Sequence, residues 1–177
     1  HTNYFRGVFK ANYRPIPELN FSLMYSPENN DGYRKIFIRS YETITDWESK
    51  STRKVPNRNS LSQSNARSFT NNFNAIGSYD KTLGNHNFSL LAGYEFIKSQ
   101  YETFGASRTD FILQDYQVLN AGSEENDGNS GSATHSSLVS YFSRAKYSFK
   151  ERYLFEANIR RDASSRFDND HRVGIFP

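Results

Sequence analysis

The sequence contains no cysteine, which excludes disulfide scaffolding, thiol nucleophiles and thiolate metal sites. It has no apolar run near the ~18 residues that a membrane-crossing helix requires. Helical membrane proteins are therefore excluded, whereas barrel strands, whose hydropathy signal is far weaker, are not. No secretory leader is visible. The opening HTNYFRGVFK has neither an apolar segment nor an initial Met. It reads as the interior of a longer protein, and the final HRVGIFP reads as the start of another strand. Strong charge of one sign is also missing: the net charge is +3, with Lys and Arg scattered among acids. The nearest basic stretch, RAKYSFKER from Arg144 to Arg152, is explained by solvated strand ends. Nucleic-acid binding would need a concentrated stripe of cations.

Aromatic residues are abundant. Only 36% of residues are hydrophobic, yet 16% are aromatic, with 12 Tyr and 15 Phe, and the mean hydropathy is −0.80. A disordered chain is poor in aromatics. Strands with one aromatic, apolar face and one wet face reconcile the two signals. The alternation is explicit. Phe5, Gly7, Phe9, Ala11 and Tyr13 share one face, and Leu19, Phe21, Leu23 and Tyr25 another. Further along, Phe69 to Tyr79, Phe88 to Phe96, Val139 to Phe149 and Tyr153 to Ile159 repeat the period of two. Each strand is predicted to run about 9–13 residues, as a tilted bilayer crossing requires.

The connections alternate in length. Short turns are expected at RPIPE, DKTLGNHN and KER, and long polar loops at about 27–64, 99–136 and 162–172. One short strand, RKIFIRSY, is expected inside the first loop. Outer-membrane barrels have this rhythm, with short turns facing the periplasm and long loops facing outward. The fold class is therefore all-β, an antiparallel transmembrane barrel. The residues expected to face lipid are Phe21, Leu23, Phe73, Leu90 and Ala92, followed by Tyr141, Phe155, Ala157 and Ile159. Six strands cannot close a wide barrel, so the sheet is part of a larger one. The competing architecture is a soluble or surface-exposed β-rich binding or adhesion module, since alternation is common to all half-buried antiparallel sheets.

Particular residues now resemble a family. YDKT and LAGYE within Ser78–Glu95, and the run SYFSRAKYSFKERYLFEANIRRDASSRFDNDHRVGIFP from Ser140 to Pro177, resemble the SusC/RagA-type TonB-dependent transporters of Bacteroidetes. The likeness covers about Asn65 to Pro177. It departs at Ala163, where that family has Gly, and at Val173, where it has Trp. The resemblance implies a 22-stranded, plugged outer-membrane barrel that imports oligosaccharides or peptides. It also implies a SusD-like surface lipoprotein as partner and energy from a periplasmic TonB complex. The family's plug domain and TonB box are not visible in this sequence. Its strand-end motif falls on Arg160, Arg161, Asp162, Ser164, Ser165, Arg166 and Phe167.

No catalytic set stands out, and the chain is not expected to be an enzyme. DGNSGS around Ser130 resembles a serine-nucleophile loop, but His86 with Asp110 or Asp115 lies too close in sequence for two barrels to intervene. Glu124, Glu125 and Asp127, or Asp168 and Asp170, could supply calcium ligands, but without EF-hand spacing. His1, His86, His135 and His171 show no zinc-ligand spacing. No resident cofactor is expected. Tyr33, Trp47, Tyr101, Phe104 and Tyr116, in the two long loops, are the candidate substrate-stacking residues.

Overall fold

Period-two alternation should produce strands with two dissimilar faces, and the computed structural model, which describes all residues His1–Pro177, is built almost wholly of them. There are ten strands: β1 (Thr2–Arg6), β2 (Phe9–Ile16), β3 (Leu19–Ile38), β4 (Tyr41–Asp46), β5 (Ser51–Val55), β6 (Ser60–Leu83), β7 (His86–Thr109), β8 (Gly128–Phe149), β9 (Tyr153–Ser164) and β10 (Val173–Phe176). An eight-stranded sheet has the order β1-β3-β6-β7-β8-β9-β10, with β2 also pairing to β3, while β4 and β5 form a separate hairpin. From β6 to β10, consecutive strands are neighbours in the sheet, an antiparallel meander.

Several sequence expectations are corrected. Four strands exceed the expected 9–13 residues: β3 has 20, β6 and β7 have 24 each, and β8 has 22, whereas β9, with 12, agrees. Much of the expected loops at 27–64 and 99–136 is therefore strand, and the first also contains the β4–β5 hairpin. RKIFIRSY is no separate strand: Arg34–Ile38 closes β3 and Tyr41 opens β4. The 162–172 loop begins later, because β9 runs to Ser164, and it contains a one-turn 3₁₀ segment at Asn169–His171 before β10 opens at Val173. These misreadings share one cause. Polar strands paired in water on both faces show no alternation in hydropathy. The proline break also comes later than expected. β2 continues through Pro15 to Ile16, with a bulge between Tyr13 and Ile16, as an edge strand or bulge permits. The single face expected from Phe5 to Tyr13 is interrupted at Gly7–Val8, where Gly7 donates its N–H to Pro27 O at 3.0 Å.

The accessible surface is 13,271 Å², against about 8,900 Å² for a globular monomer of this mass. Leu61 and Phe111 are the only hydrophobic residues in the fully buried class. A self-contained sandwich would bury a core between two sheets. This sheet instead leaves Tyr13, Phe21, Leu23, Leu90, Tyr141, Phe155 and Ile159 exposed, which argues against the soluble-module architecture.

Residue contacts divide the chain into two units. One comprises Tyr4–Asn29, Ser68–Gln100 and Thr134–Pro177, and is called the wall below. The other comprises His1–Asn3, Asn30–Arg67 and Tyr101–Ala133, and is called the outer unit after the long sequence loops it contains.

Candidate functional site

The two faces of the wall follow from register. β8 and β9 pair without slippage from Leu138↔Ser164 to Phe149↔Tyr153. Tyr147 therefore lies opposite Phe155, Ala145 opposite Ala157, and Ser143 opposite Ile159. A one-residue slip would exchange the faces. Rings connect the same side across strands. Tyr94 and Tyr141 lie 5.2 Å apart, Phe88 and Tyr147 5.1 Å, and Phe73 and Tyr94 6.2 Å. Near the short turns, His86 sits 4.8 Å from Phe149, with its Nδ1 2.8 Å from the Tyr147 hydroxyl. Of the residues expected to meet lipid, Phe21, Leu23, Leu90, Ala92, Tyr141, Phe155, Ala157 and Ile159 are exposed, and Phe73 is half-buried.

The opposite face carries a polar cluster. Arg160 on β9 donates through Nε to Asp162 at 2.8 Å, and through Nη2 to Glu95 of β7 at 3.0 Å and to Ser140 of β8 at 3.1 Å. Ser140 is fully buried. The guanidinium also lies 5.6 Å from the centre of the Phe142 ring, a cation–π distance. Phe142 in turn covers Gly93, where an added Cβ would stand only 2.2 Å from the ring. Glycine is required there by close approach. One arginine thus fastens three strands on the wet side, the planar fork meeting two carboxylates.

The rest of the strand-end motif builds the connection to β10. Arg161 pairs with Tyr141 and Ile175 in the ladders. Ser165 donates its N–H to Ser137 O at 2.9 Å, and its Oγ accepts from Ser137 N at 2.8 Å. The Ser164 Oγ accepts from Arg166 N at 3.3 Å, and Phe167, 59% exposed, offers its carbonyl to Arg172 Nε at 3.0 Å. The sequence marked these residues as a unit. It did not reveal Glu95, Ser140 or Gly93 as their partners, because those lie on other strands.

In the outer unit, side-chain amides replace a ladder. Asn59 donates through Nδ2 to Phe111 O at 2.9 Å and accepts the Phe111 N–H at 2.7 Å. Gln114 does the same with Ser40, at 3.0 and 2.9 Å. Arg39 meets Asp115 at 2.6 Å, and this hydrogen bond raises the guanidinium pKa further above its ordinary value. Lys35 reaches Gln117 O at 2.6 Å. Phe111 is buried edge-on against Phe37 at 5.3 Å. Beside this segment lies a cleft of about 530 Å³ lined by Glu42, Lys54, Arg58, Asn59, Asp110 and Gln114, among others. Arg58 and Asp110 pair across it at 3.3 Å.

The five candidate stacking residues do not line that cleft. Tyr33 accepts from Gln63 Nε2 at 2.9 Å, Trp47 stands 81% exposed at the hairpin tip, and Tyr101, Phe104 and Tyr116 are exposed individually. No three acidic or histidine side chains converge in a way that could hold a metal ion. The triad candidates are otherwise engaged: His86 with Tyr147, Asp110 with Arg58, Asp115 with Arg39.

Known proteins give the same picture. No protein-family model matches the sequence. The TonB-dependent receptor P3 of Formosa agariphila is 35% identical over 101 residues, 56% of this chain and 10% of that protein. The TonB-dependent receptor SusC of Bacteroides thetaiotaomicron is 35% identical over 114 residues, 59% of this chain and 10% of that protein. The chain thus spans about a tenth of the length of these curated relatives. Among solved structures, the RagAB peptide transporter matches with a TM-score of 0.85 at 20% identity, covering 98% of this chain and 19% of that one. The RagAB peptide importer in its 'open-open' state gives 0.80 over 99% of this chain and 19% of that one, also at 20% identity. Sequence likeness to these receptors and a sheet shared with RagAB support reading the chain as a fragment similar to the barrel of the SusC/RagA-type TonB-dependent transporters of the bacterial outer membrane.

Proposed function

We propose that the chain serves nutrient import, as part of the barrel of an outer-membrane transporter that takes up peptides or oligosaccharides. The two-faced wall carries this reading. Its aromatic face suits hydrocarbon, and the Arg160–Glu95–Asp162 face suits a hydrated lumen. The expected partners are a SusD-like surface lipoprotein, acting on the outward side, and a TonB complex engaged through parts of the protein other than these strands. Likeness to the TonB-dependent receptor SusC and to the sheet of RagAB supports both expectations.

Peptide is the substrate class favoured by the outer cleft. Its lining offers both signs of charge, Lys54 and Arg58 with Glu42 and Asp110, beside the amides of Asn59 and Gln114. Such a set matches peptide termini and backbone groups. A sugar would instead be served by aromatic platforms, and the candidate aromatics lie elsewhere. The test is uptake by cells expressing the intact protein. Peptide accumulation should depend on it and fall when Lys54 and Arg58 are both changed to Glu. Accumulation of oligosaccharide alone would reject the peptide assignment. Uptake unaffected by deleting the protein would reject the importer reading.

A further inference from the structure

The short turns of the wall carry cations that the sheet does not use. Lys81 is paired with Glu18 at 2.5 Å, Lys146 with Glu156 at 3.3 Å, and Arg160 with Glu95 and Asp162. Lys150 and Arg152, in the β8–β9 turn, have no carboxylate within ion-pair distance. Both are exposed. Together with Thr82, Gly84, Asn85 and Asn87 of the neighbouring hairpin, they line a cavity of about 480 Å³. The two turns are tied, because Lys150 donates its N–H to Asn85 O at 2.8 Å.

Two further observations say where this cavity faces. The Lys150 ammonium lies 5.4 Å from the centre of the Phe149 ring. Phe149 belongs to the aromatic face, opposite Tyr153 and against His86. The cation therefore leans over the side that meets the bilayer, at the end where rings are densest. The backbone there is also unusual. Lys150 and Glu151 have φ of 51° and 57°, consecutive left-handed residues where Asn-Gly is the ordinary choice. Side chains other than Gly, Asn and Asp are disfavoured there, so the turn keeps its charges at a conformational cost.

We propose that the paired turns Leu83–His86 and Lys150–Arg152 form a binding site for the phosphate of a membrane phospholipid headgroup. Lys150 and Arg152 hold the phosphate. The Asn85 and Asn87 amides and the Thr82 hydroxyl offer hydrogen bonds to headgroup oxygens. Phe149, Phe88 and Tyr147 receive the first part of an acyl chain. Glu151, which also lines the cavity, suits the ammonium of an ethanolamine headgroup. The inference rests on the membrane-barrel assignment and not on any substrate.

The experiment is native mass spectrometry of the intact outer-membrane protein in detergent, titrated with phosphatidylethanolamine and phosphatidylglycerol. The wild type should retain phospholipid. Lys150→Gln with Arg152→Gln should weaken retention about ten- to thirtyfold, the scale expected for two basic groups at a membrane surface. Lys150→Gly separates binding from folding. It relieves the left-handed backbone, so it should fold at least as well while still losing lipid. Arg144→Gln, a cation on the polar face, should change nothing. Equal lipid retention by wild type and the double variant would overturn the site. Competition by water-soluble glycerophosphate as effective as by intact phospholipid would overturn its assignment to a lipid.

Discussion

The wall and the outer unit both satisfy backbone groups, but by different means, and the contrast separates what a periodic sequence encodes from what it does not. Between β8 and β9 an unbroken ladder from Leu138 to Phe149 needs nothing from the side chains except their alternation. Around Phe111 there is no ladder, and Asn59, Gln114, Arg39 and Lys35 supply bonds one by one. The wall should tolerate exchanges that respect its faces, save at points of specific contact such as Gly93 and Arg160. The outer segment should depend on single side chains.

A charge placed on the aromatic face is the most damaging test. Ala157→Arg should cost about 2–4 kcal/mol if that position meets hydrocarbon near the midplane, read from urea unfolding of the intact barrel in lipid. The same change at Glu42, in the outer cleft, should leave barrel stability untouched. Insertion of Ala157→Arg without loss would break the assigned topology. Next comes crowding on the opposite face. Gly93→Ala should cost about 1–3 kcal/mol by driving a methyl into the Phe142 ring. Adding Phe142→Leu should restore most of the loss, a non-additivity that marks direct contact.

Asn59→Ala should act locally. It leaves the buried Phe111 N–H without its acceptor, at about 1–3 kcal/mol. Amide exchange should rise across 110–117 and stay constant in β8 and β9. A uniform rise would mean that the clamp also supports the wall. The smallest effect concerns acid. The Asp46 carboxyl accepts from Ser49 Oγ at 2.5 Å and Glu48 N at 2.9 Å, and the hydrogen bond from Ser49 chiefly holds its pKa below the ordinary value. A lowered carboxylate pKa stabilises the folded turn above the unfolded value near 4 and loses that contribution as pH falls through the folded one. Protection of the Glu48 amide, relative to its intrinsic exchange rate at each pH, should therefore fall below pH ~4, and Asp46→Asn should flatten that response.

The same contrast explains what could be read from the sequence. The faces at Phe21/Leu23, Leu90/Ala92 and Phe155/Ala157/Ile159 were legible, because hydrocarbon and water impose a period of two. The motif at Arg160–Phe167 was legible as a resemblance. The parts of β3, β6 and β7 in the outer unit were not, since Ser, Asn and Thr follow one another there in no fixed alternation. The amide clamps were equally hidden: Asn59 and Phe111 are 52 residues apart, and no local pattern announces such a pair. The cleft depends on that clamp, and the aromatic candidates lie outside it. The unpaired Lys150 and Arg152 sat within a stretch whose charge was read as ordinary solvation.

The lengths of β6 and β7 have one more consequence. A tilted crossing of the bilayer uses about 9–11 residues, and each of these strands has 24. Each strand is therefore about twice as long as one crossing, so a strand that spans the bilayer also has residues in water. Deuterium can reach an amide in water but not one shielded by lipid. Along β7, exchange should thus change in a step. The residue at which the step falls would measure how deep the protein sits, making the strand a ruler for its own membrane.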